Sequence, residues 1–202
     1  MSDYQITPSQ LQAARAALEA HEPRDLFYRA ATELVDLALK QATSLTVAEA
    51  LAVLLRTWNM AYYRFRKFDA EHFAKIEALL ERHGPVLALY RQAELENLDP
   101  ENPTLRAEVM TLFADFERVL GPVGTAKALH LMAPHYFPLW DRAIAQAYGL
   151  SLAARGSNGG RYWRFMTTTR SQCRSLPPNP ASNPIKSIDE YNYGKFTKGW
   201  LP

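Results

Sequence analysis

Apolar positions recur every three to four residues through most of the first 150 positions, a spacing that predicts helix after helix. Thr7-Pro8-Ser9 offers an N-cap with proline at the first helical position, and Leu11, Ala14 and Leu18 follow at helical spacing. Pro23 is expected to end or restart that helix. From Asp25 to Lys40 the positions Leu26, Phe27, Ala30, Leu34 and Leu37 fall on one face. Thr46-Val47-Ala48-Glu49 fits a capping box and opens a helix expected to run to about Arg64. Its beginning is apolar nearly all round, the mark of a central helix.

Phe68 to His83 predicts another helix, stopped by Gly84-Pro85, with a short one from Val86 to about Leu95. Glu96 to Pro103 is polar and carries two prolines, so it is expected to be a loop. Thr104 to Leu120 aligns Leu105, Val109, Leu112, Phe113 and Phe116, and Gly121 is expected to end that helix. Thr125 to Met132 continues in helical spacing as far as Pro134. Asp141 caps a helix to Tyr148, closed by Gly149. No stretch alternates convincingly with period two, so the fold class is all-α.

Beyond residue 155 the character changes. Gly156-Ser157-Asn158-Gly159-Gly160 reads as a flexible joint, Arg161 to Leu176 as a helix, and Pro177 to Pro184 as a linker. The end, from Tyr191 to Trp200, is aromatic and basic. Residues 151 to 202 hold eight Lys/Arg and two Asp/Glu, a balance of +6. The first 150 hold 15 and 19, a balance of −4. This division predicts a helical domain over residues 1–155 and an irregular, basic extension over 156–202. The basic segment fits a polyanion contact or a solvated terminus equally well.

With 202 residues and 48% hydrophobic content, the chain can bury a sizeable core. Its longest apolar runs are too short to cross a bilayer, and no leader pattern opens it. One cysteine, Cys173, excludes an internal disulfide and a cysteine-ligated cluster. A cytoplasmic protein without metal or other cofactor is the expectation. Oligomeric state is not legible.

The candidate chemistry lies between residues 120 and 141. Gly121 and Gly124 leave backbone amides unobstructed, and Thr125 sits where the start of a helix would meet an anion. Gly121, Val123, Gly124 and Thr125 could therefore grip a phosphate; a tight turn between packed helices would use glycine in the same way. Lys127 stands among Ala126, Ala128, Leu129 and Leu131. On a desolvated face its amine would be a nucleophile; otherwise its stem packs and its head reaches water. Asp141, after Phe137-Pro138-Leu139-Trp140, is fixed as a cap and could also stabilise a sugar cation. Trp58, Asn59 and Tyr62, with Trp140, are candidates for a base pocket or for interhelix packing. Arg56, Arg64, Arg66 and Lys67 add positive charge beside them. His130 fits a structural role, and no histidine spacing marks a metal site.

Residues 45 to 150 resemble the helix-hairpin-helix DNA glycosylase superfamily, through the glycine turn, the Phe-Pro-x-x-Asp segment and Arg56-Thr57-Trp58-Asn59 on the early helix. The resemblance implies an all-α fold, DNA as partner, a hairpin holding phosphate, a flipped base and Asp141 as the catalytic carboxylate. In lyase-type members it also implies a lysine forming a Schiff base with the sugar. The chain departs from the pattern in two places. It reads Gly121-Pro122-Val123-Gly124 where the family reads Pro-Gly-Val-Gly, and Lys127 lies three residues after Gly124, where the family's lysine is usually two after and Ala126 stands here. One residue on a helix is about 100° of rotation, enough to turn Lys127 away from the pocket unless the altered turn shifts the helix. Two other readings stay open. One is a non-enzymatic helical module that binds nucleic acid or a protein. The other is a small-molecule pocket lined by Trp58, Tyr62 and Trp140.

Overall fold

A computed structural model describes residues 5–22, 25–177 and 183–202, with the side chains of Trp58, Met60 and Ala61 excepted. The described residues form nine α-helices and no strand. They are α1 (Pro8–His21), α2 (Leu26–Leu39), α3 (Val47–Trp58), α4 (Met60–Tyr63), α5 (Ala70–Arg91), α6 (Pro103–Met132), α7 (Arg142–Ala147), α8 (Gly159–Ser175) and α9 (Pro184–Asn192). The expected break at Pro23 and most of the linker from Pro177 lie outside the described residues.

Local chemistry sets most helix starts. Thr7 with Gln10, and Thr46 with Glu49, form reciprocal capping boxes. Asn102 and Asn183 each accept two first-turn amides ahead of a proline. Asp141 Oδ1 accepts the Ile144 amide at 2.9 Å. Where one helix was expected to Arg64, α3 stops at Asn59 and the short α4 follows.

The pair of helices expected around Gly84-Pro85 is a single helix, α5, with Pro85 inside it. Pro85 and Glu81, one turn apart, are both exposed, so the Glu81 carbonyl that loses its amide partner faces water. On the opposite side Ile76, Leu79, Leu87 and Tyr90 are buried, and that continuous stripe favours one helix over two.

Helix α6 is the axis of the molecule, with α2, α3, α5 and α8 against it. It breaks at Gly121, whose φ of 70° and ψ of 167° are not helical. Pro122 brings no amide, so carbonyls near the end of the first half lose their helical partners. Tyr62 and Arg155 take their place. The Tyr62 hydroxyl donates to Val119 O at 2.8 Å. The Arg155 guanidinium donates to Glu117 O at 3.0 Å, to Val119 O at 3.1 Å and to Arg118 O.

The described residues beyond 155 are largely helical where an irregular extension was expected: α8 lies on α6, and α9 lies on α1 and α8. Gly159 admits the close approach of α8, since a Cβ there would stand 2.8 Å from Met110 O. Tyr162, Phe165, Met166, Ile185 and Ile188 enter the same buried cluster as Phe113, Phe116 and Trp140. Tyr162 stacks on Phe113 with centroids 4.3 Å apart. No described helix is long and apolar enough to cross a membrane.

Candidate active site

A cavity of about 230 Å³ opens where the second half of α6 meets α1, α2, α7 and α9. Lys127 and Asp141 both line it. The rotation expected from the one-residue offset of Lys127 does not separate them. Lys127 stands on the second half of α6. Asp141 is delivered by the segment after Pro138, tied down from three sides. Trp140 Nε1 donates to Pro122 O at 3.2 Å, which fastens that segment to the break in α6. Tyr162 donates to Pro138 O at 2.8 Å. The Thr197 hydroxyl donates to Asp141 Oδ2 at 2.6 Å, while Oδ1 serves as the cap. The carboxylate is thus held in one orientation before any ligand arrives.

Burial lowers the Lys127 pKa to about 8; the Asp189 and Asp141 carboxylates, which act in the opposite sense, recover only part of the shift. About a tenth of the lysine is therefore free amine at pH 7, and about half at pH 8. On the facing wall Lys186 lies 2.9 Å from Asp25 and 3.7 Å from both Asp189 and Glu190. Burial disfavours its ammonium, but these three carboxylates outweigh that and raise its pKa. Its charge also sits 4.3 Å from the centre of the Tyr28 ring. Asp189 is pushed up to about 6 by burial, although Lys186 pulls the other way. The cavity thus holds one amine that gives up its proton readily and one lysine that stays charged.

The turn residues lie elsewhere. Gly121, Gly124 and Thr125 are buried and Val123 is half-buried. A Cβ at Gly121 would meet the Tyr62 ring at 2.7 Å, and one at Gly124 would meet Asn59 Nδ2 at 2.8 Å. These glycines admit α4 and the end of α3 against the break. Asn59 Nδ2 and Thr125 Oγ1 are buried without a hydrogen-bond partner among the described residues. Of the three base-pocket candidates whose side chains are described, Trp140 alone lines the cavity. It is 2% exposed, packed among Phe113, Tyr162 and Phe165, and it closes the cavity floor rather than offering a free face. Asn59 and Tyr62 pack on the break in α6 instead, and the Trp58 side chain lies outside the described residues.

His130 is fully buried. Its Nδ1–H donates to Phe137 O at 2.8 Å, and Nε2 accepts from the Tyr28 hydroxyl at 3.1 Å. Burial lowers its pKa to about 4, so it remains neutral and structural. Among the described residues no group of three His, Cys, Asp or Glu side chains is placed to hold a metal.

Sequence reasoning missed Asp25, Lys186, Asp189 and Glu190. Asn183-Pro184 was a legible helix start, and Ile185 with Ile188 marked its buried face. Those two signals together place Lys186 and Asp189 one turn apart beside that face. What the chain could not display is that α9 packs on α1 and so faces Lys127, some 60 residues earlier.

No family model, no curated protein and no solved structure matches this chain.

Proposed function

We propose that this protein is a DNA base-excision enzyme of the helix-hairpin-helix glycosylase type, with Lys127 as nucleophile and Asp141 as the carboxylate that stabilises the sugar cation. The observation that carries the reading is the meeting of these two side chains in one cavity, the lysine with its pKa lowered to about 8 and the aspartate fixed by Ile144 and Thr197. The amine adds to C1′ of the deoxyribose as the N-glycosidic bond breaks. The base leaves with the bonding pair and takes up a proton, the one the lysine nitrogen gives up. Ring opening then breaks the C1′–O4′ bond; the nitrogen lone pair forms the C=N bond and O4′ takes a proton. Asp141 faces the positive charge that grows on the sugar as the base departs.

Two further features support the reading. The Trp140 indole ties the aspartate segment to the glycine break in α6. Burial outweighs the Asp189 and Asp141 carboxylates in setting the Lys127 pKa, which favours its free-amine form.

The test is borohydride reduction during incubation with DNA containing an abasic site. A covalent adduct in the unmodified protein, absent in Lys127→Met, supports lyase chemistry. Absence of any adduct, together with no base release from a panel of damaged duplexes, removes the enzymatic reading.

One observation favours a second reading, that of a non-enzymatic nucleic-acid-binding module. The C-terminal segment occupies Asp141 Oδ2 through the Thr197 hydroxyl. That reading predicts salt-sensitive DNA binding unchanged by Asp141→Asn.

A further inference from the structure

Three of the basic residues near the C-terminus are absorbed within the molecule. Lys186 is enclosed by three carboxylates, Lys198 lies 3.6 Å from Glu22, and Arg155 holds the carbonyls at the end of the first half of α6. A different group of cations is left to solvent. Arg56, Arg64, Arg66 and Lys67 are all exposed, and among the described residues none is within ion-pair distance of a carboxylate. They fall within 12 residues of sequence, across the end of α3 and the turn between α4 and α5.

Between them stands Phe65, which is 84% exposed, the most exposed of the large apolar side chains among the described residues. A ring left in water costs free energy that the fold does not recover by packing. Arg64 lies over it at 5.7 Å, and Arg66 lies over the Tyr62 ring at 4.8 Å. Tyr62 in turn rests on Gly121. The patch is therefore continuous with the break in α6, where the positive end of a helix begins.

We propose that this face binds a nucleic-acid strand, with Arg56, Arg64, Arg66 and Lys67 along its phosphates and Phe65 stacked on an unpaired base. The chemistry matches from both sides. Exposed cations held in no ion pair among the described residues attract a polyanion, and an exposed ring gives any base a stacking surface. A duplex keeps its bases stacked inside and offers Phe65 no partner. The face thus favours single-stranded or locally opened nucleic acid. The proposal takes its class of partner from the reading above, and it makes no use of Lys127.

The experiment is fluorescence anisotropy of the full chain with a labelled single-stranded oligonucleotide and with its duplex, each over a range of salt. The single strand is expected to bind more tightly. Phe65→Ala should weaken single-strand binding about tenfold and leave duplex binding unchanged. Arg64→Gln with Lys67→Gln should flatten the slope of log K against log salt by about 1.4 for the single strand. These side chains are exposed, so the variants should keep the native circular dichroism. Single-strand affinity indifferent to Phe65→Ala, or a salt slope unchanged in the double variant, would overturn the proposal. Borohydride trapping at Lys127 reports on the cavity alone, so either idea can fail without the other.

Discussion

Lys127 exposes the cost of the cavity in its own titration. An unfolded chain would hold the lysine proton to about 10.5, whereas the folded protein holds it only to about 8. Folding therefore sheds a proton between those values, and stability rises with pH across that window. Below pH 8 the folded protein bears the full cost of a buried ammonium. Lys127→Met should accordingly stabilise the protein by on the order of 2 kcal/mol at pH 7. The gain should shrink as pH rises and vanish near 10.5. Thermal melts at pH 7 and at pH 10 check this; an equal or negative effect at pH 7 would show that the lysine is not buried in the way described. The chemical type of this residue was legible in the sequence, because an isolated lysine among alanines and leucines stands out. Its direction was not. Helical register could turn it away from the pocket unless the altered turn shifted the helix, and in the fold it lines the same cavity as Asp141.

At the scale of elements, α6 shows how one residue can organise a site. Gly121 adopts positive φ, Pro122 withdraws an amide, and the released carbonyls are taken by Tyr62 and Arg155 from distant parts of the chain. Gly121→Ala should cost about 2 kcal/mol or more, since alanine is strained at that φ and its Cβ would stand 2.7 Å from the Tyr62 ring. Denaturant melts measure it; a neutral substitution would mean that the break is not held as described. The break itself was readable, as were the capping boxes at Thr7 and Thr46 and the cap at Asp141, because each depends on residues within four positions. Pro85 misled for the converse reason. Local propensity ends a helix there, but Leu87 and Tyr90 continue the buried stripe of Ile76 and Leu79, and packing overrides propensity.

For the whole molecule, the C-terminal quarter changes meaning. Its composition suggested a basic appendage, yet α8 and α9 bury aromatic and aliphatic side chains against α6 and α1, and α9 completes the cavity. Charge totals could not reveal this, because Lys186 and Lys198 find their carboxylates on Asp25 and Glu22, far back in the chain. A fragment ending at residue 155 would uncover Phe113, Phe116 and Trp140, which lie against Tyr162 and Phe165 in the intact protein. It should show no cooperative thermal transition by near-ultraviolet circular dichroism. A fragment that melts cooperatively would restore the picture of an appendage.

The proposed role of Lys127 as a nucleophilic amine beside Asp141 is tested by the pH dependence of covalent trapping. The protein is incubated with abasic DNA and borohydride from pH 6 to pH 10, and the adduct is located by mass spectrometry of the digested chain. The account predicts an adduct at Lys127, with a yield that rises through a midpoint near 8 and disappears in Lys127→Met. An adduct confined to other lysines, or none at any pH, would contradict it.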